Sequence, residues 1–155
     1  MSEALTKEQF VELLTPLAEA LRRLDVDASD AAAQADAIAP FGGEQVRAIR
    51  AAATASVDSG WLLPKEAGGV RFGRVAKDLC GFSVDCVWMD GPGPRHRHPN
   101  GEVDLCFAAE GAARFDGNPE GWVVYGKDSV HVPTVSDGAM LILYFLPGGA
   151  IEFVG

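Results

Sequence analysis

The chain changes composition at Gly60, and that break constrains what it can fold into more than any other feature. Residues 1–60 hold 15 alanines, 3 of the 18 glycines and 2 of the 9 prolines. Residues 61–155 hold the other 15 glycines, the other 7 prolines and 11 of the 13 aromatics. Charge does not change in step: 5 basic and 10 acidic residues lie before the break, and 8 and 12 after it. The break is therefore a change of secondary structure, not a charged tail attached to a domain.

The first part reads as three helices. Thr6 and Gln9 form a capping box, followed by Phe10, Leu13, Leu14, Leu17, Leu21 and Leu24 at helical spacing. Ser29 or Asp30 can cap a short Ala-rich helix that Pro40 and Gly42-Gly43 stop. A third helix is expected from about Glu44 to Asp58, with Val46, Ile49, Ala53 and Val57 on one stripe and Gly60 as its terminator. Each stripe needs a covering surface, either the second part or another copy of the chain. The second part reads as strands at Val70–Ala76, Phe82–Met89, Glu102–Ala108, Trp122–Tyr125, Val130–Pro133, Met140–Leu146 and Ala150–Val154. Phe82, Val84, Cys86 and Trp88 alternate with Ser83, Asp85, Val87 and Met89, the period of a strand. Short strands with turns at this interval make a sandwich or a barrel.

A length of 155 residues predicts one domain with a core that needs no disulfide staples. Thirteen Lys and Arg against 22 Asp and Glu give a net charge of -9, so phosphate backbones and anionic lipid are poor partners. No apolar run is long enough to span a bilayer, and no basic-then-apolar leader pattern opens the chain. Three cysteines, an odd number, read as reduced thiols in a cytoplasmic protein.

The same composition contains only three histidines, and all of them fall in the strand-rich part. His96 and His98 flank Arg97 and so share one face of an extended segment. Glu102 begins the next strand after a Pro99-Asn100-Gly101 turn, and His131 lies on a later strand. A lone His-x-His pair would be an ordinary surface turn. Three imidazoles and a carboxylate together make a ligand set for a divalent transition metal, and Fe, Mn, Ni and Zn all suit it.

In these four residues the sequence resembles the cupin superfamily. His96, His98 and Glu102 match the core of its first motif, and His131 matches the histidine of its second. The departures lie in the turns: Gly91 and Gly111 frame the first motif at altered spacing. In the second, Val124-Tyr125-Gly126 stands where Pro-x-Gly is expected, and Val135 replaces an asparagine. A closer resemblance, to the p-hydroxylaminobenzoate lyases, rests on four runs: Gly69–Arg74, His96–Asp104, Gly121–Gly126 and Leu146–Phe153. The resemblance implies a mainly-β, cupin-type double-stranded β-helix (jelly-roll barrel) over residues 61–155. It also implies a helical extension over 1–60, the two forming one structural unit. The implied activity is conversion of 4-hydroxylaminobenzoate to protocatechuate and ammonia.

Further site residues follow from parity and charge. Glu102, Asp104 and Cys106 point the same way along their strand, which makes Glu102 and Asp104 the candidate catalytic carboxylates and Cys106 a core residue. A small aromatic carboxylate bound by a chain of charge -9 requires local positive potential. Arginine suits it because its planar fork matches both carboxylate oxygens. Arg71 and Arg74 flank Gly73 with opposite parity, so one of them can face inward. Arg71 and Arg114 are taken as substrate-binding, with Trp122 among the rings that could stack on an aromatic substrate. The cupin resemblance and the three uncovered helical stripes favour a homodimer. Alternatives with the same ligands are an iron-dependent dioxygenase on a small aromatic or thiol, and a metal- or small-molecule-binding module without catalysis.

Overall fold

Thr6 starts the first helix of the computed structural model, which describes residues 5–154. Its hydroxyl accepts the Gln9 N–H at 3.1 Å, and the Gln9 side chain accepts the Thr6 N–H at 2.9 Å. A capping box of this kind contributes about 1 kcal/mol. Helix α1 spans Lys7–Leu21 and buries Phe10, Leu14, Leu17, Ala18 and Leu21, while Leu13 and Leu24 pack at its margins. Helix α2 spans Ala31–Ile38; the Asp30 carboxylate accepts from the Gln34 side chain instead of capping a backbone N–H. Helix α3 spans Glu44–Ala55 and stops short of Asp58. There Ser56 donates its hydroxyl to the Ala52 carbonyl at 2.8 Å, and Ser59 bonds back to Ser56, so the chain tightens into turns.

Nine strands follow: β1 Lys65–Ala67, β2 Val70–Leu79, β3 Phe82–Met89, β4 His96–His98, β5 Glu102–Phe115, β6 Gly121–Tyr125, β7 Ser129–His131, β8 Val135–Pro147 and β9 Glu152–Phe153. They form a six-stranded sheet, β1-β2-β3-β8-β5-β6, and a three-stranded sheet, β7-β4-β9. The two sheets make a mainly-β fold that stays open instead of closing into one continuous barrel. Strands β5 and β8 run well past Ala108 and begin well before Met140, their expected limits. Gly111 pairs with Gly138, and a Cβ on Gly138 would meet the Glu110 carbonyl oxygen at 1.8 Å. Two glycines that resemble turns in the sequence are thus the contact that lets a long antiparallel ribbon twist.

Side-chain parity sorts the large sheet into two faces. Phe82, Val84 and Cys86 of β3, Val103, Leu105 and Phe107 of β5, and Leu141, Leu143 and Phe145 of β8 point outward and pack with the helices. Cys106, Met89, Met140, Ile142, Tyr144 and Val123 point inward and form a second, smaller core with Phe115 and Val135. All three helical stripes are therefore covered by the outer face of the chain's own sheet. Pairing of two copies loses that part of its support. Two polar side chains pin the layers together. Arg50 donates to the Ala108 carbonyl at 3.0 Å and to Glu120 at 2.9 Å, and Trp122 Nε1 donates to the Ala39 carbonyl at 2.8 Å. Among the described residues, no helix is long and apolar enough to cross a membrane.

Candidate metal centre

Strand β4 is three residues long and lies between β7 and β9, with His96 opposite both His131 and Phe153. Alternation along it sends His96 and His98 inward, buried, and leaves Arg97 outside, paired with Glu152 and Asp128. The turn back to β5 is set by Gly101 at φ 88, its N–H bonded to the His98 carbonyl at 3.2 Å. A side chain there would face strain from the positive φ and a Cβ contact of 2.8 Å with the Tyr125 carbonyl oxygen. Glu102 follows directly, fully buried.

The four predicted ligands meet at one place. His98 Nε2 lies 2.8 Å from His131 Nε2, and His96 Nε2 lies 3.1 Å from it. Glu102 oxygens stand 3.0 Å from His98 Nε2, 3.4 Å from His131 Nε2 and 3.9 Å from His96 Nε2. The carboxylate contacts lack hydrogen-bond geometry, so both Glu102 oxygens are buried without a donor. A single proton on His131 Nε2 cannot serve two imidazole neighbours and a carboxylate at once. One cation can, because ligand bonds of about 2.1 Å put neighbouring donor atoms about 3 Å apart. The cluster could hold a metal ion.

Asp116, which sequence reasoning missed, fixes His131 from behind. One carboxylate oxygen lies 2.8 Å from His131 Nδ1 and accepts the Tyr125 hydroxyl; the other accepts the Thr134 N–H at 2.8 Å. This arrangement places the Nδ1 proton toward Asp116 and leaves Nε2 for the cluster. Asp116-Gly117-Asn118 carries only a turn signal in the sequence, and Asp116 has φ 50. The tertiary path alone brings it under His131.

Electrostatics divide the groups. Burial lowers His96 to about 4, and the neighbouring imidazoles push the same way against the pull of Glu102. Burial would also lower His131, but Asp116 and Glu102 outweigh it and raise that imidazole to about 9. Burial raises both carboxyls on β5. The imidazoles nevertheless hold Glu102 below the usual range, while the Glu102 charge drives Asp104 well above it. Asp104 is completely buried and is not among the side chains lining the cavity. Cys106 joins the inner core, and burial pushes its thiol up.

A cavity of about 560 Å³ opens over the cluster, with His96 and Glu102 in its lining and Val70, Phe72, Val87, Met89, Tyr144 and Phe153 among its walls. None of the three substrate-binding expectations lines it. Arg71 has the outward parity of β2 and donates to the Val57 carbonyl at 3.2 Å. Arg114 is exposed on the ribbon and donates to the Gly117 carbonyl at 3.0 Å. Trp122 faces the helices, because Val123 and Tyr125 take the inward positions of β6. Arg74, the alternative of opposite parity, does line the cavity.

A family model described as 4-hydroxylaminobenzoate lyase matches residues 17–153. A 4-hydroxylaminobenzoate lyase of Nocardioides sp. (strain LMS-CY) is 31% identical over 132 residues, covering 76% of this chain and 77% of that protein. A 4-hydroxylaminobenzoate lyase of Pseudomonas putida is 28% identical over 120 residues, covering 63% and 67%. An RmlC-like cupin protein from Ralstonia eutropha JMP134 superposes with a TM-score of 0.46 at 13% identity, over 61% of this chain and 66% of that one. The family match spans all nine strands, all four clustered ligands and most of the helical extension, and this chain belongs to the 4-hydroxylaminobenzoate lyase family.

Proposed function

We propose that this protein is a metal-dependent lyase that converts 4-hydroxylaminobenzoate and one water to protocatechuate and ammonia. The reaction is redox-neutral overall: the N–O bond breaks, nitrogen leaves as ammonia, and ring carbons gain the two hydroxyl groups. The observation that carries the reading is the set of His96, His98, Glu102 and His131 gathered at a cavity with apolar walls. A divalent ion held by these residues supplies Lewis acidity to an oxygen placed against it. Ionised Glu102 offsets the ion's charge, and Asp116 keeps His131 turned toward it. Asp104 acts through Glu102, holding a proton where a second negative charge would crowd the first. Phe72 and Phe153 in the largely apolar lining offer faces for the ring.

The test combines elemental analysis with turnover of 4-hydroxylaminobenzoate. Expected results are stoichiometric ammonia and protocatechuate without oxygen uptake, together with loss of at least about 100-fold in activity on chelation or in His96→Ala. Full activity in the metal-free protein overturns the metal requirement. Oxygen consumption in step with turnover would instead assign a dioxygenase.

A further inference from the structure

The inner face of β2 carries Val70, Phe72 and Arg74 into the cavity, and β1 adds Lys65, paired in register with Phe72. Lys65 and Arg74 are the cationic side chains of this lining, which otherwise holds apolar residues with Asp85, His96, Glu102 and the Tyr144 phenol as its charged or titratable members. Their placement follows from the sheet. Arg74 is in register with Asp85, Asp85 with Tyr144, and Tyr144 with Asp104, the residue two along from Glu102. Three strand steps separate Arg74 from β5, about 14 Å measured along the sheet. The arginine therefore stands across the cavity from the ligand cluster.

Its fork is already oriented. Arg74 Nε donates to Asp85 Oδ1 at 2.8 Å and Nη2 approaches Oδ2 at 3.4 Å. That uses two of the five guanidinium N–H groups and holds the plane against the wall. With Lys65 beside the pair, this end of the cavity has one more cation than anion, although the chain as a whole carries -9. The opposite end holds His96 and Glu102, and apolar walls join the two. Such a cavity matches a molecule with an anion at one end, an apolar middle and its reacting group at the other end.

We infer that Arg74, assisted by Lys65, receives the carboxylate of the substrate and turns the reacting nitrogen toward the ligand cluster. The inference rests on the lyase reading for the identity of that nitrogen, but the carboxylate contact can be tested without turnover. The probes are 4-hydroxybenzoate and 4-hydroxybenzamide, titrated calorimetrically into protein of measured metal content. Wild-type protein is expected to bind the acid about tenfold to a hundredfold tighter than the amide, the size of a charge-assisted contact. Arg74→Gln should remove most of that preference, Arg74→Lys should keep part of it, and Arg71→Gln should leave it intact.

In turnover, Arg74→Gln should raise KM for 4-hydroxylaminobenzoate by a similar factor while changing kcat much less. Equal binding of acid and amide by the wild type overturns the inference, as does a preference that survives in a folded Arg74→Gln variant. Should that variant fail to fold, Lys65→Gln and the wild-type acid-to-amide ratio decide: a ratio near one, or one unmoved by Lys65→Gln, overturns the inference. If 4-hydroxylaminobenzoate releases no ammonia while the preference for the acid persists, the lyase reading falls and the carboxylate site stands.

Discussion

Asp116 shows how much of a candidate metal centre can rest on a residue outside the ligand set. It accepts the Tyr125 hydroxyl and the Thr134 N–H while pairing with His131. Asp116→Asn is therefore expected to weaken metal affinity by about 10- to 100-fold, read by competition with a chromophoric chelator. The pH dependence separates this role from a general loss of structure. In metal-free protein His131 keeps its proton up to about 9, and metal uptake must displace it. Wild-type affinity should thus rise as pH increases from 6.5 toward 9. Without the Asp116 charge the imidazole releases its proton more readily, so the defect of Asp116→Asn should be larger at pH 9 than at pH 7. An equal defect at both values would leave Asp116 as packing alone. Asp116 has no sequence motif, whereas His96, His98, Glu102 and His131 were all legible because histidine is scarce in the chain and the spacing is specific.

At the scale of elements, alternation decided more than propensity did. Strand β5 sends Glu102, Asp104 and Cys106 inward and Val103, Leu105 and Phe107 toward the helices, as period two requires. The same rule places Arg71 against Val57 and Arg74 in the cavity, a choice open in the sequence until the sheet showed which face of β2 was covered. Trp122 was misplaced for the same reason: its ring serves the interface between α2 and β6, where its N–H reaches Ala39. The turn from β4 to β5 carries the sharpest test at this level. Gly101→Ala forces a side chain at φ 88 and within 2.8 Å of the Tyr125 carbonyl oxygen. The variant is expected to lose on the order of 1–3 kcal/mol of stability. It should also lose metal affinity, since His98 and Glu102 flank the turn. Thermal melts with and without added metal measure both, and an unchanged metal-dependent rise in Tm would contradict the second expectation.

The whole molecule is a sheet with two different faces, one covered by helices and the other turned to the cavity. Phe10, Leu14, Leu17, Ile49 and Ala53 are all buried against the outer face, with Leu62 of the connecting segment and Val75 of β2. Removing residues 1–60 would expose Val103, Leu105, Phe107, Leu143 and Phe145, a contiguous apolar surface. The truncated chain is expected to aggregate rather than yield a free barrel, and a soluble, metal-binding 61–155 fragment would show that the helices are dispensable. By itself the sequence determined the helical and strand-rich halves, the parity of each strand and the identity of the four clustered donors. Those depend on local spacing, and local spacing is written along the chain. Only the tertiary structure decided which face of each strand meets the helices, that Arg74 and not Arg71 enters the cavity, and that Asp116 stands behind His131. These outcomes depend on which surfaces come to cover one another, a property of pairing between distant segments that no stretch of the chain contains alone.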